Sequence, residues 1–120
     1  MIKQIPDMPP NVVALTASGQ VTGDDYKNVI IPLVDEKIRQ YEKIRLLYHL
    51  GADFKKFTTT ALWDDAKIGF HHLQGFERVA VVSDVAWIRT MARGIGRAMP
   101  MDLRTFANSE LEKAKAWITA

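Results

Sequence analysis

The chain has 120 residues, 48% hydrophobic and 25% charged, which is enough for one soluble domain that buries a core without staples. It holds no cysteine, which excludes disulfides, thiolate metal sites and cysteine nucleophiles together. A Lys and Arg total of 16 against 14 Asp and Glu leaves a net charge of +2, too small to argue for nucleic acid. No apolar stretch approaches a bilayer's thickness, and the opening MIKQIPDMPP lacks a signal peptide's apolar core. The expectation is a cytoplasmic chain with a single domain, 1–120.

In chain order, Ile2–Ile5 reads as a short strand, and the prolines in Asp7-Met8-Pro9-Pro10-Asn11 force a turn. Val12–Ser18 is a second strand, which Gly19 is expected to end. Thr22 and Asp25 form a T-x-x-D capping box for a helix with Tyr26, Val29, Ile30, Leu33, Val34 and Tyr41 on one stripe. Ile44–Leu50 is a strand closed by Gly51. A loop, Ala52–Thr58, then leads to a helix from about Thr59 to Gln74 with Leu62, Ala66, Gly69, Phe70 and Leu73 inward. Val79–Val82 is apolar at consecutive positions, so the strand Phe76–Val82 should be buried on both faces, as parallel strands between helices are. Ser83-Asp84 offers a cap for a helix over Val85–Ala98 that packs Ile88, Met91, Ala92 and Ile95 and stops before Pro100. Leu103–Ala107 is the last strand. Ser109 and Glu112 suit a capping box for a final helix burying Leu111, Ala114, Trp117 and Ile118. The order β-β-α-β-α-β-α-β-α predicts an α/β fold: a mainly parallel five-stranded sheet with an antiparallel first strand and four helices.

Chemistry is harder to find. His71 and His72 are adjacent and point about 100° apart on a helix, and neither has an acidic or histidine neighbour four residues away. His49 stands alone in a strand. Asp24-Asp25 and Asp64-Asp65 sit in first helical turns, where the macrodipole accounts for them. No nucleophile elbow, phosphate loop or dinucleotide fingerprint occurs. Neither a cofactor, a metal site nor catalysis is therefore expected. Arg89, Arg93 and Arg97 recur every four residues, either as a solvated face or as a docking strip for an anionic partner or lipid head group.

In a parallel sheet, ligands bind beyond the carboxyl ends of the strands. The longest loop converging there is the second, with Asp53, Phe54, Phe57 and Thr58. Its phenylalanines pack either into the domain's own core or against something else. Together with Trp63, with Trp87 alongside, these residues are expected to form one patch.

ASGQVTGDDY at the first helix, DFKKFTTTALWDDAKIGFHHLQGFERVAVVSDVAWI through the middle and SELEKAKAWI at the end resemble the SpoIIAA-like branch of the STAS-type fold, over essentially the full length. The resemblance implies a small non-enzymatic module of the bacterial cytoplasm, similar in shape to lipid-transfer domains of the CRAL-TRIO type. STAS anti-sigma-factor antagonists carry a phosphorylated serine in an Asp-Ser-Ser-Gly loop, whereas this chain reads Gly51-Ala52-Asp53-Phe54-Lys55-Lys56-Phe57-Thr58-Thr59-Thr60 there. That switch does not carry over, and the threonines read as helix caps. Two functions follow as expectations: a regulatory or partner-binding module, or a small carrier of an apolar or anionic, lipid-like ligand. Peripheral membrane contact and a homodimer stay open, and nucleic acid is not expected.

Overall fold

The computed structural model describes residues 1–58 and 75–120. Five strands form one sheet in sequence order: β1 (Ile2–Gln4), β2 (Val12–Val21), β3 (Ile44–Phe57), β4 (Phe76–Ser83) and β5 (Asp102–Phe106). β1 runs antiparallel to β2 at the edge, and every later pair is parallel. This is the predicted mixed α/β sheet. The helix expected over Thr59 to Gln74 lies outside the described residues.

The first helix opens with α1 (Gly23–Asp25), passes through a π-helical turn at Tyr26–Ile30, and continues as α2 (Ile31–Tyr41). Its capping box is the one the sequence spells: the Thr22 N–H donates to Asp25 Oδ2 at 2.9 Å, and the Asp25 N–H donates to Thr22 Oγ1 at 3.2 Å. Pro32 explains the π turn. It has no N–H for the carbonyl of Asn28, and its ring crowds that carbonyl, so the turn widens and the Ile31 N–H reaches back to Tyr26. The helix then continues with Tyr26, Ile30 and Val34 buried, while Tyr41, expected on the same stripe, is exposed.

Each parallel connection moves one strand along the sheet. Right-handed crossovers in one direction place their helices on one face. Accordingly α2 and α3 (Ala86–Ala98) cover the face carrying Val13, Leu15, Ala17, Tyr48, Leu50 and Val79. After β5 the chain folds back through a 3-10 turn at Asn108–Glu110 into α4 (Leu111–Thr119). That helix covers the other face, packing Ala114 and Ile118 on Val12, Ala14, Leu47, Ala80 and Val82. The α4 box is shifted from the sequence expectation: Glu110, not Glu112, accepts the Ala107 N–H at 2.9 Å, and Ser109 is exposed inside the turn.

Two arginines fasten α4. Arg45 donates to the Ile118 carbonyl at 3.0 Å and to Glu77 at 2.9 Å, and Arg78 donates to the Trp117 carbonyl at 2.9 Å. Positive charge at a helix carboxyl terminus meets both the dipole and the unpaired carbonyls. Arg78 and Arg104 also stack on the Trp117 ring, at 5.3 and 4.8 Å from its centroid, so this tryptophan is half-buried between cations rather than enclosed.

Candidate functional site

The expected loop Ala52–Thr58 is strand almost throughout. β3 does not stop at Gly51 but runs on to Phe57, seven residues past Leu50, its last residue paired with β4 (to Ser83). It can do so because β2 also continues past Gly19. That glycine adopts φ +61°, which an L side chain resists, and two register shifts flank it. The tail then pairs Gly19 with Phe54, Gln20 with Lys56 and Val21 with Phe57. The result is a two-stranded parallel ribbon at the carboxyl edge of the sheet, closed by the Thr58 N–H donating to the Val21 carbonyl at 2.9 Å.

Side chains on the ribbon divide cleanly. Phe54 and Phe57 are half-buried against the core, 5.0 Å apart by ring centroid, and Phe57 meets Tyr48 edge-on at 6.3 Å. The Tyr48 hydroxyl lies 3.1 Å from that of Tyr26. Asp53, Lys55 and Lys56 are exposed and Thr58 is half-buried. The structure thus brings Phe54 and Phe57 together with their aromatic sides inward. Trp63, Thr59, Thr60, His71 and His72 lie outside the described residues.

The second group of predicted residues is on α3. Ser83 and Asp84 do not cap it as a Ser-Asp pair. Ser83 Oγ accepts the Val85 N–H at 3.0 Å, whereas Asp84 reaches across to the Asn108 N–H at 2.9 Å. Toward the sheet the helix offers Ile88 and Ala92, both buried, and Gly96, where a Cβ would stand 3.1 Å from that of Leu103. The small Ala92 and Gly96 seat the helix close to β5. Met91 and Ile95, expected in the core, are consequently 41% and 38% exposed, and Trp87 is 50% exposed. The three form one row, four residues apart. On the other flank Arg93 donates to Thr105 Oγ1 at 3.3 Å and Arg97 is exposed. Arg89 is half-buried, with its Nε shielded from solvent and without a hydrogen-bond partner among the described residues.

The exposed apolar row is what sequence reading missed. A signal for it was present. From Trp87 round to Ala92 the apolar positions of α3 span roughly 140° at 100° per residue, more than the stripe of about 100° that a helix on a sheet must bury.

His49 sits on the α4 side of the sheet, its Nδ1 3.3 Å from Thr16 Oγ1. Burial, then the charge of Lys115, hold its pKa below the ordinary histidine value. No group of three His, Cys, Asp or Glu suited to a metal occurs among the described residues. At the amino edge of the sheet, a groove of about 180 Å³ runs between the Pro6–Pro10 turn and α2, lined by Ile5, Met8, Val13, Leu33 and Lys37. Among the described residues, no helix is long and apolar enough to cross a membrane.

A sequence profile described as SpoIIAA-like matches residues 12–119. The crystal structure of an uncharacterised protein with a SpoIIAA-like fold from Shewanella loihica PV-4 superposes with a TM-score of 0.79 at 22% identity, covering 98% of this chain and 93% of that one. At that identity the likeness speaks for the fold alone. No curated protein matches the chain. With the strand order, the antiparallel first strand and a profile spanning nearly the whole length in agreement, the chain belongs to the SpoIIAA-like family.

Proposed function

We propose that this chain is a non-enzymatic partner-binding module that works without the Asp-Ser-Ser-Gly phosphorylation loop. The observation that carries the reading is the row Trp87, Met91 and Ile95, which holds three of the five exposed large apolar side chains among the described residues. Scattered apolar residues on a surface need no explanation, but a contiguous row beside cations marks a contact surface. Family membership supports the regulatory class and does not name the partner.

The carrier reading is the alternative, with an apolar or anionic ligand held against Phe54 and Phe57. Native mass spectrometry of freshly purified protein separates the two. The module should give the mass of the 13.6 kDa chain or its oligomers without an adduct, and a stoichiometric small molecule would favour the carrier. Turnover in a broad hydrolase and transferase screen, lost on changing His49 or Asp53, would overturn both.

A further inference from the structure

Helix α3 has three kinds of surface row. Buried Ile88 and Ala92 mark its sheet side. At 100° per residue, Thr90, Gly94 and Ala98 fall on the outward side, and all three are exposed. The apolar row Trp87, Met91 and Ile95 rises on one flank of this small-residue floor, and Arg93 and Arg97 on the other. Between Ala86 and Ala98 there are three arginines and no acidic residue. No described residue explains Gly94: a Cβ built there meets nothing within 4 Å among the described residues, whereas Gly96 is pressed against Leu103. Glycine inside an exposed helix is unfavourable without a reason.

We propose that the outer face of α3 docks an acidic amphipathic helix of a partner protein. The partner's apolar side chains pack beside Trp87, Met91 and Ile95, its carboxylates meet Arg93 and Arg97, and its backbone crosses close over Gly94. Helices approach to about 8–10 Å, and small residues at the crossing permit the short end of that range.

The arrangement of the rows argues against the other occupants. A second copy packed antiparallel would set one arginine row against the other, and a parallel copy would set arginines against the apolar row. A bilayer favours apolar side chains on the outermost line with cations at the margins. Here that line is mostly small or polar, Thr90, Gly94 and Ala98, with Trp87 as its one large apolar side chain. The inference rests on the partner-binding reading, and its failure is separable, because a clean native mass and absence of turnover would leave a module that uses another surface.

The test is calorimetric titration with a synthetic amphipathic peptide that carries a leucine row beside a glutamate row. Its lysine counterpart and phosphatidylserine–phosphatidylcholine vesicles serve as the other probes. The glutamate peptide should bind and the lysine peptide should not. Trp87→Ala, Gly94→Leu and the pair Arg93→Glu with Arg97→Glu should each weaken binding at least about tenfold while the circular dichroism spectrum stays native. Equal binding of both peptides, or binding of neither, overturns the proposal. Vesicle binding that the same variants abolish, without peptide binding, replaces it with a membrane surface. With Trp63 and Trp117 changed to phenylalanine, Trp87 emission typical of a buried indole in the free protein would show the face already covered, and also overturns it.

Discussion

Replacing Gly94 with alanine should stabilise the domain, and the same change at Gly96 should not. Both glycines lie inside α3, where alanine is favoured over glycine by about 0.8–1.0 kcal/mol in an exposed interior position. At Gly94 the added methyl meets nothing within 4 Å among the described residues, so the full propensity gain should appear. Unfolding entropy of about 2.1 cal/mol/K per residue gives roughly 250 cal/mol/K for a chain of 120 residues, so the gain corresponds to about 3–4 °C in Tm. At Gly96 the methyl would stand 3.1 Å from Leu103 Cβ, 3.5 Å from its Cδ2 and 3.6 Å from its Cγ. Either α3 or β5 must shift, and overpacking costs of about 1–3 kcal/mol cancel or exceed the gain. Urea unfolding of the two variants side by side, with equal m values, is the assay. A loss of stability in Gly94→Ala, or an equal gain in Gly96→Ala, would refute the packing described for this helix. A more stable Gly94→Ala domain that binds the acidic peptide less well would show that the glycine serves contact rather than folding.

Three further outcomes follow from the core and its fastenings. Val82→Asp should abolish cooperative folding, because Val82 is wholly buried and an unpaired carboxylate there costs several kcal/mol or must protonate; circular dichroism melting reads this. Arg78→Met should lower the urea midpoint by the equivalent of about 1–2 kcal/mol, since it removes the bond to the Trp117 carbonyl and the stacking on that ring. His49 takes up its proton in the unfolded chain near its ordinary value of 6.5 and only at lower pH when folded. Stability should therefore fall as the pH drops below about 6.5 and level off once the folded state is also protonated, a slope that His49→Gln removes in denaturation series at successive pH values.

The strands were legible where burial on both faces writes a continuous apolar run, as in Val79–Val82. They were misread where glycine permits a strand to continue. Gly19 and Gly51 both looked like stops, yet the left-handed Gly19 shifts the register by which the two tails pair. Pairing of that kind is a property of two distant segments and leaves no mark in either one. The same blindness placed Phe54 and Phe57 in a loop and left open what they pack against, whereas the ribbon turns them onto Tyr48 and each other. Val81, placed by its run among fully buried residues, is only partly buried, and Val82 is the enclosed one.

On α3 the sequence supplied every residue of the candidate surface and misplaced the boundary between core and outside. Periodicity identifies an apolar arc but does not say which part of it faces the sheet. That choice is made by residue size: Ala92 and Gly96 let the helix approach β5, and the approach is possible only on their side. A helix seated by its smallest residues cannot also bury the large ones a third of a turn away. Trp87, Met91 and Ile95 are thereby left outside as a consequence of good packing within the domain. Nothing in the described fold needs three large apolar side chains there, and polar residues at those positions would solvate the surface without disturbing Ile88 or Ala92. Changing Met91 and Ile95 together to glutamine should accordingly leave the melting temperature within a few degrees of the parent, since exposed substitutions usually stay within about 0.5 kcal/mol each. A large loss of stability in that double variant would mean the row is already packed within the domain, and would remove the reason for calling it a contact surface.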